Sequence, residues 1–455
     1  MSALWTSADI ATATGGTASA DFSAAGVAFD SREVGAGDLF IALSGETTDG
    51  HRFIDQAFEQ GAAGAIVSQP TAHPNVQVAD TTAALDVLGA AARARTSARI
   101  VGVTGSVGKT GTKEALSAAL ARASRQAVHR SVKSYNNHTG VPLSLARMPA
   151  DSAFGVFEMG MNHAGEIAAL TEMVRPHVAL VTAIAPAHIE FLGSIEAIAD
   201  AKGEIFEGLE ADGVAIIPFD SPQRDCLSRH AAGRTVLTFG RGNGADVRAL
   251  EAFPAETGTM VHAQLPGAEL SFTLSQPGAH WVSNSLAVLA TVHALGLDLA
   301  AAALALADFE GLDGRGAQFR VAAGGGDALV IDESYNANPA SMRATLQVLR
   351  DTPAPRRIAV LGAMRELGDQ SDELHAELAE PIVEAGVDFA LLVGAGIEPL
   401  AKALEGRVEL IHCADATMAE EALSKIIQPD DAILIKGSNS VGLGRIVSAL
   451  KAGTR

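Results

Sequence analysis

The stretch "VGVTGSVGKTGTKEAL" (residues 101–116) constrains the fold more than any other part of the chain. Arg99–Val103 is short and β-branched, which predicts a buried strand. From Lys109 onward Leu116 and Leu120 fall at i, i+4 with alanines between them, which predicts a helix. A glycine-bearing turn from a strand into a helix start aims backbone N–H groups at an anion, and the helix dipole adds to the attraction. A tight turn alone would explain Gly105 and Gly108 but not Lys109-Thr110, because a cation at a helix start is disfavoured unless an anion is bound. Lys109 can reach the β/γ-phosphates of a nucleotide, and the Thr110 hydroxyl can hold Mg²⁺. The common spacing G-x-x-x-x-G-K-[ST] would need glycine at position 103, where the chain has Val103. The nucleotide reading therefore rests on the order strand, turn, helix.

With 455 residues, the chain should divide into two to four domains. Apolar residues make up 48%, as in globular proteins. The net charge of −20 argues against a nucleic-acid partner, so an anionic substrate must be held by local Arg, Lys and Mg²⁺. Cys226 and Cys413, the only cysteines, make no metal-like pair and suit a reducing compartment. No signal-peptide pattern opens the sequence, and no run approaches ~20 apolar residues, so the expected location is the cytoplasm without membrane insertion.

The texture changes near residues 82 and 312. Residues 1–82 read as a small α/β domain with polar turns around "FDSREVGAGDLFIALSGETTDGHRF". Residues 83–312 alternate strands and helices through "FGVFEMG" and "VALVTAIAP", as a parallel sheet of βαβ units would, with a less regular, β-like section at 212–275. Residues 313–455 carry apolar runs at 328–332, 357–364, 389–396 and 432–438, which predicts a second, Rossmann-like α/β domain. "VGAGIEP" lacks the remaining glycine of a dinucleotide fingerprint and reads as a loop.

Glu158 follows the buried run Phe154–Phe157, and His188 lies just past the run 178–184. Both should sit at carboxyl ends of strands beside the turn, where open α/β sheets bind ligands; with Thr110 they make a candidate Mg²⁺ environment. Lys202 has Ile198, Ala199, Ile205 and Phe206 at i±3 and i±4, whereas Asp200 and Glu204 lie at i±2 and off its face. A lysine on an apolar stripe either snorkels or loses its charge, and burial lowers its pKa and makes the amine nucleophilic.

"TGSVGKTGTKE", "FEMGMNHAGEI", "IAPAHIEFLGS", "AKGEIF", "GAHWVSNSLA" and "DESYNANPASM" occur in an order and spacing that resemble the Mur ligase family, in its D-alanyl-D-alanine-adding branch. The opening "DSREVGAGDLFIAL…GETTDGH" is similar to that family's uridine-nucleotide domain, so the resemblance spans essentially the whole chain. The family's loop is G-x-x-G-K-[ST], a shorter-spaced P-loop. The resemblance implies that Gly105, Ser106, Val107, Gly108, Lys109, Thr110 and Gly111 hold ATP phosphates, with Asn284, Arg315, Asp332 and Asn336 as further nucleotide contacts. It also implies that Thr110, Glu158 and His188 bind Mg²⁺, and that Lys202 is carbamylated to N6-carboxylysine beside them. Lys109, His188 and Lys202 would then form the catalytic set, with Ser31, Arg32, Asn137, Asn338 and Lys436 on the substrate side. The implied reaction joins D-Ala-D-Ala to a UDP-N-acetylmuramoyl-tripeptide at the expense of ATP, in a chain expected to be monomeric.

There are departures from the family pattern. Val107 replaces a frequent Asn, "GRHN" reads Gly278-Ala279-His280-Trp281, "LGDM" has Ala363, and "NxNN" reads Ser134-Tyr135-Asn136-Asn137. Among rivals, the diaminopimelate- or lysine-adding ligase would carry an Asn-Pro-Arg motif where this chain has "SYNANP". Folylpolyglutamate synthase would lack the opening domain. A P-loop motor would leave Lys202 and the uridine-type opening domain unexplained, and a catalytically dead scaffold would not need the complete set of metal-binding candidates.

Overall fold

The strand Arg99–Thr104 has neighbours on both sides because every residue after Arg99 is buried. Continuous apolar runs of this kind suit a parallel strand covered on both faces. In the computed structural model, which describes residues 3–45, 48–187, 189–255 and 258–453, it lies between Phe154–Glu158 and Val178–Val181, parallel to both. The three belong to a nine-stranded sheet that Val128–Arg130 closes at one edge and that continues through Val214–Pro218, Thr235–Gly240 and Val247–Pro254. Arg99–Thr104 leads on to Val128–Arg130 at one edge, whereas its neighbour Val178–Val181 leads the opposite way to Val214–Pro218, so the connections of two adjacent strands diverge there. Such divergences open a crevice at the carboxyl ends of the strands.

The β-like section at 212–275 resolves into two parallel strands and an antiparallel extension, Val247–Pro254, Thr259–Leu265 and Ala268–Leu274. Its texture differs because only one face is covered. Val261, Ala263 and Leu265 are buried while residues between them point outward. On the parallel strands successive residues feed two cores. Val101 and Val103 pack with Leu116, Leu120 and Leu286 under the helices Lys109–Ser124 and Ala279–Ala294. Ile100 packs on the opposite face with Phe157, Ile198, Ile205 and Phe206.

That second core is shared with the N-terminal region. Its five-stranded sheet runs Thr17–Ala18, Asn75–Gln77, Gly64–Val67, Asp38–Ile41, Gly26–Ala28 in space, parallel except for the first pair. The helix Thr81–Ala94 supplies Leu85, Leu88 and Ala92 to the same cluster as Trp5, Leu39 and Ile66. The C-terminal region holds a six-stranded sheet in the order Ala317–Ala323, Gly326–Glu333, Ala432–Lys436, Arg357–Gly362, Phe389–Val393, Glu409–Cys413. Only its first pair is antiparallel. The four inner strands coincide with the apolar runs read from the sequence. Ala317–Ala323 and Glu409–Cys413 were not legible because they are edge strands with many outward residues. "VGAG" forms the loop after Phe389–Val393.

Trp5 ties the N-terminal region to the middle one. Its indole Nε1 donates to the Ala146 carbonyl at 2.8 Å, and the Arg95 guanidinium lies 3.7 Å above its ring. Ala146 ends the helix Gly140–Ala146, where carbonyls lack intrahelical partners. Trp5→Phe keeps a ring but removes the donor, so it should lower stability by about 1–3 kcal/mol. The check is the urea midpoint, which should fall with the slope unchanged.

Candidate active site

The turn Gly105–Gly108 joins Arg99–Thr104 to the helix Lys109–Ser124. It is held against the end of the neighbouring strand: the Ser106 amide donates to Ala183 O at 2.8 Å, Ser106 Oγ accepts from the Ala185 amide at 3.0 Å, and Thr182 Oγ1 donates to Val107 O at 2.5 Å. Gly105 has φ +149°, and a Cβ there would lie 2.0 Å from Thr182 Oγ1, so no side chain fits. With its shape fixed from below, the turn keeps a left-handed Gly108 at the helix N-cap, without a side-chain cap. The first amides of the helix are thereby left for an anion.

Glu158, 1% exposed, ends the strand beside the turn, in register with Val103. One carboxylate oxygen accepts from Thr110 Oγ1 at 2.8 Å and the other from Asn136 Nδ2 at 2.7 Å. Thr110 Oγ1 also lies 3.3 Å from Ser134 Oγ, which accepts from Arg315 Nη2 at 3.0 Å. Arg315 comes from the loop before the C-terminal sheet, and its guanidinium rests 4.2 Å over the Tyr335 ring. One hydrogen-bonded chain thus runs from the C-terminal region to the phosphate loop. Hard oxygen donors from a hydroxyl and a carboxylate fit Mg²⁺. His188 lies outside the described residues.

Lys109 is half-buried, and its ammonium donates to Gly105 O at 2.7 Å, folded back over the loop. Lys202 occupies the last turn of the helix Ile195–Gly203 and is fully buried. Its neighbours Ile198, Ala199, Ile205 and Phe206 are buried with it, while Asp200 faces solvent, as the spacing predicts. Lys202 Nζ has no hydrogen-bond partner among the described residues. Burial drives its pKa far below that of an ordinary lysine, and the nearby Lys109 charge pushes the same way. Burial also lowers the pKa of Lys109, opposed by the Glu158 carboxylate.

The remaining candidates divide by role. Asn284 stands beside the loop, with its Oδ1 3.0 Å from the position a Cβ at Gly108 would take. Trp281 covers Gly111 from 3.0 Å on the same criterion and packs on Phe309, with ring centres 5.5 Å apart. His280 lines the same cleft with Gln276 and Glu333; its Nδ1 lacks a hydrogen-bond partner among the described residues, and burial lowers its pKa to about 4. Asp332 accepts from the Gly314 amide at 2.8 Å and from Ser334 Oγ at 2.6 Å, bracing the loop that carries Arg315. Asn338 caps the helix Pro339–Asp351 through the Ser341 amide at 2.9 Å. Asn336 is exposed, and its carbonyl accepts from the buried Lys436 ammonium at 2.9 Å.

On the N-terminal side Ser31 donates to Gln56 Oε1 at 3.0 Å, while Arg32 is exposed and paired with Asp30. Asn137 is exposed and accepts from the Gly140 amide at 2.9 Å, just ahead of the helix Gly140–Ala146. Its neighbour Asn136, which sequence reading passed over as a site residue, is the one that holds Glu158. Glu33 reaches Lys133 and Tyr135 Oη, the latter at 2.9 Å, linking the N-terminal region to the loop that bears Ser134 and Asn136.

Three family models cover the chain in sequence order: the Mur ligase catalytic domain over residues 23–123, the Mur ligase middle domain over 103–292 and the Mur ligase glutamate ligase domain over 318–439. The UDP-N-acetylmuramoyl-tripeptide–D-alanyl-D-alanine ligase of Synechocystis is 37% identical over 431 residues, 93% of this chain and 91% of the relative. This chain belongs to the Mur ligase family. MurF from Acinetobacter baumannii superposes with a TM-score of 0.86 at 32% identity, covering 98% of this chain and 99% of that one. The MurF ligase of Thermotoga maritima, solved in complex with ADP, gives 0.77 at 28% identity over 94% and 97%.

A buried amine without a partner destabilises the fold that contains it. Lys202→Met has a similar length and no charge, so the variant should melt at a higher temperature than the wild type in nucleotide-free, CO₂-depleted buffer. A lower melting temperature would mean that the ammonium is satisfied in place.

Proposed function

We propose that this chain is an ATP-dependent amide ligase that joins D-Ala-D-Ala to a UDP-N-acetylmuramoyl-tripeptide in peptidoglycan precursor synthesis, as its relatives' names describe. The observation that carries the reading is the Thr110–Glu158 pair at the mouth of a glycine turn, bridged to Arg315 and backed by the buried Lys202. A carboxylate is a poor electrophile. Transfer of the γ-phosphoryl group to the terminal carboxylate of the tripeptide gives an acyl phosphate, which the D-Ala-D-Ala amine attacks with loss of phosphate. Phosphoryl transfer needs positioning and charge neutralisation more than covalent help.

In this reading the turn amides and Lys109 hold the phosphates; Lys109 needs only to swing from Gly105 O to a phosphate oxygen. Mg²⁺ held by Thr110 and Glu158, with His188 completing the set, would reduce repulsion between the two anionic reactants. Asn136 fixes the Glu158 carboxylate, and Arg315 brings the C-terminal region onto Ser134, which helps exclude water from an acyl phosphate. In this reading Asn284, Arg315, Asp332 and Asn336 would contact the nucleotide, and Ser31, Arg32, Asn137, Asn338 and Lys436 the peptide-bearing substrates. Residues 1–82, 83–312 and 313–455 serve as the UDP-substrate, ATP and C-terminal ligase domains of a cytoplasmic monomer.

Lys202 enters as a carbamate. In its neutral form the amine attacks CO₂, forming an N–C bond and releasing one proton to solvent; the carbamate anion would replace the desolvated cation and remove its repulsion with Lys109. Lys202→Ala should fold but be nearly inactive, and a small acid such as acetate should partly restore turnover. Wild-type turnover of Lys202→Ala without additive would dismiss the carbamate.

The activity itself is tested by ADP release with lysine- and diaminopimelate-containing UDP-tripeptides, and with D-Ala-D-Ala or D-Ala as acceptor. Release should require both a tripeptide and D-Ala-D-Ala, and Lys109→Ala should reduce it by about 10²-fold or more. Steady release from ATP alone would instead indicate a hydrolase.

A further inference from the structure

Behind the helix that carries Lys202 lies a cluster that the ligase chemistry does not use. Cys226 and His230 stand at i, i+4 on the helix Arg224–His230 and so share one face. That face meets Asp200, on the solvent side of the helix Ile195–Gly203. Cys226 Sγ donates to Asp200 Oδ1 at 2.9 Å, and His230 Nε2 lies 3.3 Å from the same oxygen. One donor atom from each residue falls within 4.8 Å of the other two. Tetrahedral zinc, with bonds of about 2.0–2.3 Å, spaces its donors about 3.3–3.6 Å apart. The two sides that meet at Asp200 Oδ1, 2.9 and 3.3 Å, are close to that size already, and the third is no longer than 4.8 Å.

The other nitrogen of the imidazole supplies an independent sign. His230 Nδ1 faces Glu207 Oε1 at 3.2 Å, which leaves Nε2 turned toward Asp200 and Cys226. A carboxylate on the far nitrogen is the arrangement that orients histidine as a metal ligand and raises its basicity. The imidazole is seated against the helix because residue 203 is glycine: a Cβ there would come within 2.4 Å of the ring.

We propose that Cys226, His230 and Asp200 bind one thiophilic divalent cation, Zn²⁺, with Glu207 orienting His230 and a solvent-facing fourth position. The thiol distinguishes this site from the all-oxygen Thr110–Glu158 pair, since a thiolate selects zinc over magnesium. Burial and the Asp200 carboxylate hold the Cys226 thiol up at about 11. At neutral pH the S–H bond must therefore break as the S–Zn bond forms, and one proton is released to solvent per ion bound. The bound ion would clamp the helix Arg224–His230 to the helix bearing Lys202.

The test titrates Co²⁺ into the full-length protein in excess Mg²⁺ and follows the thiolate-to-cobalt charge-transfer band. The band should saturate at one equivalent, persist in Cys413→Ser, vanish in Cys226→Ser and weaken strongly in His230→Ala. One equivalent of Zn²⁺ should displace it. Glu207→Gln should weaken the affinity about 10-fold or more while leaving the band. Thermal melts of the variants without metal show that they remain folded. A wild-type protein without the band, or a band that survives in Cys226→Ser, would overturn the site and leave only a hydrogen-bonded surface cluster.

Discussion

Burial of positive charge in a strongly acidic protein is the constraint on which the rest of the cleft depends. The chain carries a net charge of −20, yet Lys113, Lys202 and Lys436 are buried and Lys109 half-buried. Each solves the desolvation problem differently. Lys113 donates to the Ser131 and Lys133 carbonyls at 2.7 Å and pairs with Glu114, so it is a structural strut for the loop that presents Ser134 and Asn136. Lys436 rests on Asn336 O and Glu333, though burial still lowers its pKa. Lys109 has only a loop carbonyl, and Lys202 nothing among the described residues. Interiors tolerate unsatisfied charge where a ligand or a covalent change completes it.

The same residues explain how three regions act as one site. Arg99–Thr104 and its neighbours bring the turn, Glu158 and the end of Val178–Val181 to a common level by parallel register. Glu33 with Lys133 and Tyr135 reaches in from the N-terminal side, and Arg315 with Ser134 from the C-terminal side. Both grip the loop between Val128–Arg130 and the helix Gly140–Ala146. Ser134 and Asn136 on that loop touch Thr110 and Glu158, so both outer regions grip the loop that meets this pair.

Much of this was legible in the sequence because the informative residues violate local rules. A lysine at a helix start and a lysine on an apolar stripe are both unfavourable unless something compensates, and these two are near enough for their charges to oppose each other. The parallel strands were visible as unbroken apolar runs. Edge strands such as Glu409–Cys413 were hidden, since outward residues dilute the pattern. Asn136 was not singled out because adjacent asparagines cannot be told apart until the backbone aims one at Glu158 and lets the other accept from the Gly140 amide. The Cys226–His230 pair escaped because its remaining partners come from another helix, more than twenty residues away.

The central claim is that Lys202 is neutral in the folded protein and accepts CO₂. The direct measurement is ¹³C NMR of the protein equilibrated with ¹³C-labelled CO₂ at mildly alkaline pH, with Mg²⁺ and a non-hydrolysable ATP analogue. One slowly exchanging carbamate carbon is expected in the wild type, absent from Lys202→Ala. A spectrum with no protein carbamate in the wild type, or one that Lys202→Ala retains unchanged, would contradict it.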